Sequence, residues 1–241
     1  MPGIRFRNFA FAGGGGDATQ FTQDLAANGV ALFNPNLWLT LHGVPATATT
    51  DFFGADVVST PPLQARFART GGTGGSPNPT YFYPQLLVNG SVQGQPQFAE
   101  GTIVSKSGGA SECGPAVMCS GDTAFDQNSP WPTSAGHNGY AALTQAGNNT
   151  TVRIRRASIT QTVLSTIAGW ALGDLIRIRV TPGTASHLVE TFRNGVLVDS
   201  ITDANAVRPG AGTGWPCFMV GNIAIPTASN SIWTGLNFGL F

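Results

Sequence analysis

Four arginines carry the clearest chemical pattern in this chain. Arg153 and Arg155 alternate with Val152 and Ile154, and Arg177 and Arg179 alternate with Ile176 and Ile178. A period of two marks a half-buried strand, so all four guanidinium groups should leave the core face. If the two strands lie side by side, the four arginines form a basic stripe. Guanidinium forks pair bidentately with carboxylates, so the stripe would suit an acidic polysaccharide or a carboxylate-bearing neighbouring subunit. A solvated outer face is the plainer alternative. Trp131 and Tyr140 are the second candidate for ligand contact. They border the longest irregular stretch, Ser120 to Gly139. Aromatic faces stack on sugars or anchor interfaces, and they also pack in cores. A loop of that length in a compact domain is usually functional or held by a partner.

Other chemistry is sparse. Glu100, Glu112 and Glu190 are the only glutamates, and His42, His137 and His187 are each isolated in sequence. No Gly-x-Ser-x-Gly nucleophile elbow is present. No Cys or His spacing suits zinc. Gly13 to Gly16 lacks the Lys-Ser/Thr of a phosphate loop and reads as a hinge. The residues therefore predict no catalytic group, no metal and no cofactor. Cys113 and Cys119 on one extended strand would sit roughly 20 Å apart, too far to bridge. Cys217 is remote from both in sequence. Free thiols are the expectation, with an interchain bond as the alternative.

The elements that must position these groups read as strands. Ile176 to Val180 alternates, and a second strand is expected from His187 to Arg193. Asn194-Gly195 between it and Val196 to Val198 suits a two-residue type I′ turn, because both central residues need positive φ. Further strands are expected at Leu37–His42, Leu63–Arg69, Tyr81–Val88, Gln97–Lys106, Pro115–Cys119 and Tyr140–Thr144. Thr151–Arg155, Ser158–Thr162, Phe218–Ile225 and Ile232–Phe238 complete the set. A short helix is expected over Asp17 to Ala27, with Asp17 as its N-cap and Gln20 three residues on. Ten or more strands without a long helix predict an all-β, two-sheet antiparallel sandwich.

Composition agrees. Of 241 residues, 41% are apolar and only 10% are charged, against the roughly 25% usual for soluble domains. Thirty-two glycines and 16 prolines are spread between apolar segments, as many short strands joined by turns require. Twelve basic and twelve acidic residues cancel. That balance argues against nucleic-acid binding, which needs a basic excess, and favours self-association. No segment approaches 18 consecutive apolar residues, so no membrane span is expected. The N-terminus lacks the apolar run of a signal peptide. Ile4, Phe6, Phe9 and Phe11 fall in a strand-like segment ahead of the glycine hinge. Residues 1–16 therefore read as an arm that docks on another subunit by strand addition, and 17–241 as one sandwich domain.

From about Asp17 onward the chain resembles the concanavalin A-like lectin/glucanase superfamily, in particular its laminin-G-like members. The resemblance rests on Asn36-Leu37-Trp38, Gln97 to Val104, Gly114 to Ser120, Asn138-Gly139-Tyr140, Gly173-Asp174 and Arg193 to Val196, with Asp199 and Asp203 after them. It implies a jelly roll with a curved concave sheet. The superfamily includes glycosidases, which need two carboxylates roughly 5 to 9.5 Å apart. The glutamates of this chain show no such clustering in sequence. Phe125-Asp126-Gln127-Asn128 with His137 is faintly similar to the calcium loop of legume lectins, but Ala124 stands where an acid is needed. The glycine-rich, low-charge chain also resembles bacteriophage structural proteins. The leading expectation is thus a non-enzymatic virion component, made in the host cytoplasm and partnered by other virion proteins or by copies of itself. The alternative is a module binding a cell-envelope glycan, with a glycosidase behind it.

Overall fold

The structure is a computed structural model. It describes residues 20–22, 38–42, 52–58, 64–70, 80–84, 95–107, 111–119, 139–144, 151–157, 162–204, 214–222 and 229–241. Every regular element among them is a strand. In chain order these are β1 (Gln20–Thr22), β2 (Trp38–His42), β3 (Phe52–Val58), β4 (Gln64–Thr70) and β5 (Thr80–Pro84). Then come β6 (Gln97–Ser107), β7 (Ser111–Cys119), β8 (Gly139–Thr144), β9 (Thr151–Ala157) and β10 (Thr162–Ala168). The last five are β11 (Leu175–Thr181), β12 (His187–Arg193), β13 (Val196–Asp203), β14 (Trp215–Asn222) and β15 (Ser229–Leu240).

They form two antiparallel sheets. The eight-stranded sheet runs β13-β12-β11-β6-β15-β4-β3, with β1 also on β15, and the seven-stranded sheet runs β10-β9-β8-β7-β14-β5-β2. The chain repeatedly crosses from one sheet to the other, so neighbours in space are distant in sequence. This is the expected jelly-roll sandwich. Its core is built from the inward positions of both sheets. Ile176, Ile178, Val180 and Trp233 come from one, and Tyr140, Val152, Ile154 and Phe218 from the other. Phe218 meets Trp233 edge-to-face at 5.0 Å across the gap. The seven-stranded sheet is buried on its other face too. Ala116, Cys119, Ala141, Leu143, Cys217 and Met219 form a separate buried cluster there. Their neighbours Val117, Tyr140, Ala142 and Phe218 face the main core.

Three expectations need correction. Residues 20–22 form a strand rather than part of a helix. Gln20, Phe21 and Thr22 pair with Gly239, Phe238 and Asn237 on β15. The open side of a long central strand outweighs a local capping signal, because tertiary pairing overrides propensity. The strand expected at Ser158–Thr162 lies further on, at Thr162–Ala168. Gly54 and Asp56 hid β3, since both residue types are depleted in strands. The arm proposed for residues 1–16, with Ile4, Phe6, Phe9 and Phe11, lies outside the described residues.

Candidate functional site

The β11–β12–β13 unit supplies the candidate site. Asn194 and Gly195 have φ of 51° and 83°, as a type I′ turn demands, and they join β12 to β13 where the sequence places them. Along β11 the side chains alternate, with Ile176, Ile178 and Val180 buried and Arg177 and Arg179 on the outer face. Antiparallel register then sets their neighbours. Arg177 stands opposite Glu100 of β6 and Phe192 of β12. Glu100 stands opposite Asn237 of β15. In the next row Arg179 lies between Phe98 of β6 and Glu190 of β12.

These cross-strand positions become a connected polar row. Arg177 Nε donates to Glu100 Oε2 at 2.6 Å, and Asn237 Nδ2 donates to Glu100 Oε1 at 3.0 Å. Arg179 grips Glu190 with two bonds, from Nε at 2.7 Å and Nη2 at 3.2 Å. Rings fix the guanidinium groups from the sides. Arg177 lies 5.1 Å from the Phe98 ring centre, and Arg179 lies 4.6 Å from Phe192 and 4.7 Å from Phe241. The two glutamates are buried, whereas the Arg177 side chain is 41% exposed. Arg177 uses only its Nε in these bonds, so both terminal nitrogens remain available as donors. The face is charge-balanced, polar and flanked by aromatic rings.

The basic stripe does not form. Arg153 and Arg155 lie on β9 in the seven-stranded sheet, whereas Arg177 and Arg179 lie on β11 in the eight-stranded sheet. By backbone register Arg153 pairs with Leu143 and Arg155 with Ala141. Tyr140 is not a surface aromatic either. It is fully buried, with its hydroxyl donating to Asp203 Oδ2 at 3.0 Å and lying 3.4 Å from His187 Nδ1. Its ring meets His187 edge-on at 5.9 Å. Tyr140 comes from one sheet and its partners from the other, so this is a cross-sheet clasp. A strand carries alternate residues inward, and Tyr140 falls on the inward parity with Ala142. Trp131 and the Phe125–Asn128 loop with His137 lie outside the described residues.

Sequence reading named Glu100 and Glu190 only as isolated acids. Their partnership with arginine follows from strand register. Within the β11–β12 pair the signal was present, because Arg179 and Glu190 each lie two residues from the Thr181–Leu188 pair that ends the ladder at the short Pro182–Ser186 connection. The pairing of β6 with β11 had no local signal, since those strands are far apart in the chain. Glu100 and Glu190 share the outer face, but β11 stands between their strands. That is about 10 Å laterally at ordinary strand spacing, and each carboxylate is engaged by its own arginine.

At the end of the same unit Asp174 ties two turns together. Its Oδ2 accepts from the Ala171 N–H at 2.7 Å and pairs with Arg193 Nε at 2.7 Å, and its Oδ1 accepts from Asn194 Nδ2 at 2.7 Å. Asn194 Oδ1 in turn accepts from the Leu175 N–H at 2.8 Å. Burial disfavours the charge on Asp174, but the Ala171, Asn194 and Arg193 donors outweigh it. The carboxyl therefore titrates below its ordinary value.

No family model matches the chain, and no curated protein matches it. Solved structures of similar fold do exist. The carbohydrate binding module CBM66 from Bacillus subtilis matches with a TM-score of 0.43 and 13% identity, over 83% of this chain and 94% of that one. Lectin UEA-II complexed with galactose matches with a TM-score of 0.43 and 13% identity, over 84% and 98%. An endo-1,3-beta-glucanase from Streptomyces sioyaensis matches with a TM-score of 0.45 and 12% identity, over 96% and 100%. Binding modules and enzymes thus both occur among the similar folds. At this distance the likeness carries no argument about what the chain binds or catalyses.

Proposed function

We propose that this chain is a non-catalytic glycan-binding module, and that the outer face of its eight-stranded sheet is the binding surface. One observation carries the reading: the hydrogen-bonded Asn237–Glu100–Arg177 row, with the Arg177 guanidinium over Phe98, its side chain 41% exposed and its terminal nitrogens not used in the row. Sugar hydroxyls need fixed donors and acceptors beside an apolar surface. Donors already oriented by their own partners lose little freedom on binding. Each guanidinium is neutralised by a glutamate, so the surface suits an uncharged glycan rather than the acidic polysaccharide that a bare basic stripe would attract.

The test is a glycan array with the purified chain and with Arg177→Ala. The wild type should bind neutral glycans, and the variant should lose at least about tenfold in affinity, the scale of one or two lost hydrogen bonds to a charged group. Its melting temperature should fall by roughly 2–12 °C, because the buried Glu100 keeps its Asn237 donor but loses its charged partner, a cost of about 1–3 kcal/mol, so the array is run well below the variant's midpoint. Failure of the wild type to bind any neutral glycan overturns the proposal. So does binding confined to acidic glycans and abolished by salt.

A further inference from the structure

Both sheets of the sandwich end on the same flank. β13 is the terminal strand of the eight-stranded sheet and β10 that of the seven-stranded sheet, and the two lie against each other. Among the described residues, no strand pairs with the far side of either. Such an edge presents a row of backbone N–H and C=O groups ready to accept another strand.

Exposed apolar surface gathers on this flank too. Six large apolar side chains are exposed among the described residues, and five of them lie here. Val196, Leu197 and Val198 open β13, with Val196 the most exposed at 66%, and Val163 comes from β10. Leu172 sits in the turn that Asp174 ties to Asn194, at the entry to β13. The sixth, Phe241, lies elsewhere, against Arg179. Natural edge strands are ordinarily guarded by lysine, proline or an exposed charge. β10 has no charged residue and no proline. The only charges of β13 are Asp199 and Asp203, and both turn inward. Asp199 stands opposite the buried Thr191, and Asp203 accepts from Tyr140. The one irregularity is a bulge at Val198, which leaves Asp199 to Asp203 as a regular edge.

We infer that this flank is the interface of a symmetric dimer, in which β13 pairs antiparallel with β13 of a second copy about a two-fold axis. An open strand edge is complementary to itself in antiparallel pairing, so one patch serves both copies. The same axis, normal to the sheets, brings β10 towards β10, and the five apolar side chains leave water along the seam. Basic and acidic residues balance over the chain, so two copies do not repel each other. With strands about 25 Å long and sheets about 10 Å apart, the flank covers roughly 500 Å² per copy once side chains are included. That reaches the total of about 1,000 Å² at which an interface becomes specific, so the dimer should dissociate on dilution. The inference stands apart from the glycan reading, because the strand of Arg177 is two strands away from β13.

The purified full chain is followed by sedimentation velocity over a broad concentration series, with hydrogen exchange at both ends of it. A monomer–dimer equilibrium is expected, with the amides of β13 and β10 slower to exchange at high concentration. Val196→Lys brings two like charges to the seam and should raise the dissociation constant at least about tenfold, with an unchanged circular dichroism spectrum. Val163→Lys should act in the same direction. Phe241→Ser removes the exposed ring outside the flank and should leave the equilibrium as it is. A chain that stays monomeric at every concentration overturns the inference, and so does a dimer that Phe241→Ser weakens and the lysine variants do not. Protection of β13 that is independent of concentration also overturns it, because another segment of the same chain would then cover the edge. If a lysine variant does not fold, the concentration dependence of exchange in the wild type decides.

Discussion

Asp174 shows how one side chain organises the end of the sheet. Its carboxylate serves the Ala171 N–H, the Asn194 amide and the Arg193 guanidinium, and Asn194 passes the connection on to Leu175. The turn before β11 and the hairpin after β12 are thereby tied together. Because its folded-state pKa lies below the ordinary 3.8, the folded chain binds fewer protons than the unfolded chain around that pH. The stabilisation is therefore full above the unfolded value and is lost as pH falls through the folded one. Asp174→Asn should lower stability at neutral pH by about 1–3 kcal/mol, the scale of removing a buried charged acceptor. It should also flatten the loss of stability below about pH 4. Urea titrations across that range compare the two slopes. Parallel curves would show that Asp174 contributes by shape and not by charge.

At the scale of elements, two glycines separate backbone conformation from packing. Gly195 has a φ of 83° in the β12–β13 turn, and nothing lies within 4 Å of a Cβ placed there. Gly195→Ala should therefore cost about 1–2 kcal/mol through conformation alone. Gly114 on β7 is the reverse case, since a Cβ there would run into the Ala142 carbonyl oxygen of β8. Gly114→Ala should cost at least about 2 kcal/mol and loosen the β7–β8 pair, because the obstacle is backbone that cannot swing aside. Hydrogen exchange should report faster amides on β8 for Gly114→Ala, and faster amides only around the turn for Gly195→Ala. The same contrast marks what could be read from sequence. The Asn194-Gly195 turn and the outward parity of Arg177 and Arg179 are local properties, and both were legible. That β9 and β11 belong to different sheets is not local, so the four-arginine stripe failed. Tyr140 was misplaced because its polar partners, His187 and Asp203, arrive from the opposite sheet.

The whole molecule is two sheets whose mutual fit depends on a few polar contacts within an apolar interior. Most of that interface is non-directional packing, with Phe218 meeting Trp233 edge-to-face across it. Directional contacts fix how the sheets sit. Gln97 spans from β6 to Met118 and Gly214, and Tyr140 spans from β8 to Asp203 and His187. Removing the Tyr140 hydroxyl deprives a buried carboxylate of a donor while leaving the ring in place. Tyr140→Phe should therefore lower stability by about 1–3 kcal/mol, the scale of losing one buried hydrogen bond to a carboxylate. The clasp lies between the sheets, so the loss should appear as a lower denaturant midpoint with an unchanged slope for one cooperative transition. Tryptophan fluorescence and far-ultraviolet circular dichroism should report the same midpoint. Two separate transitions in the variant would mean that the hydroxyl couples the folding of the sheets as well as stabilising their contact.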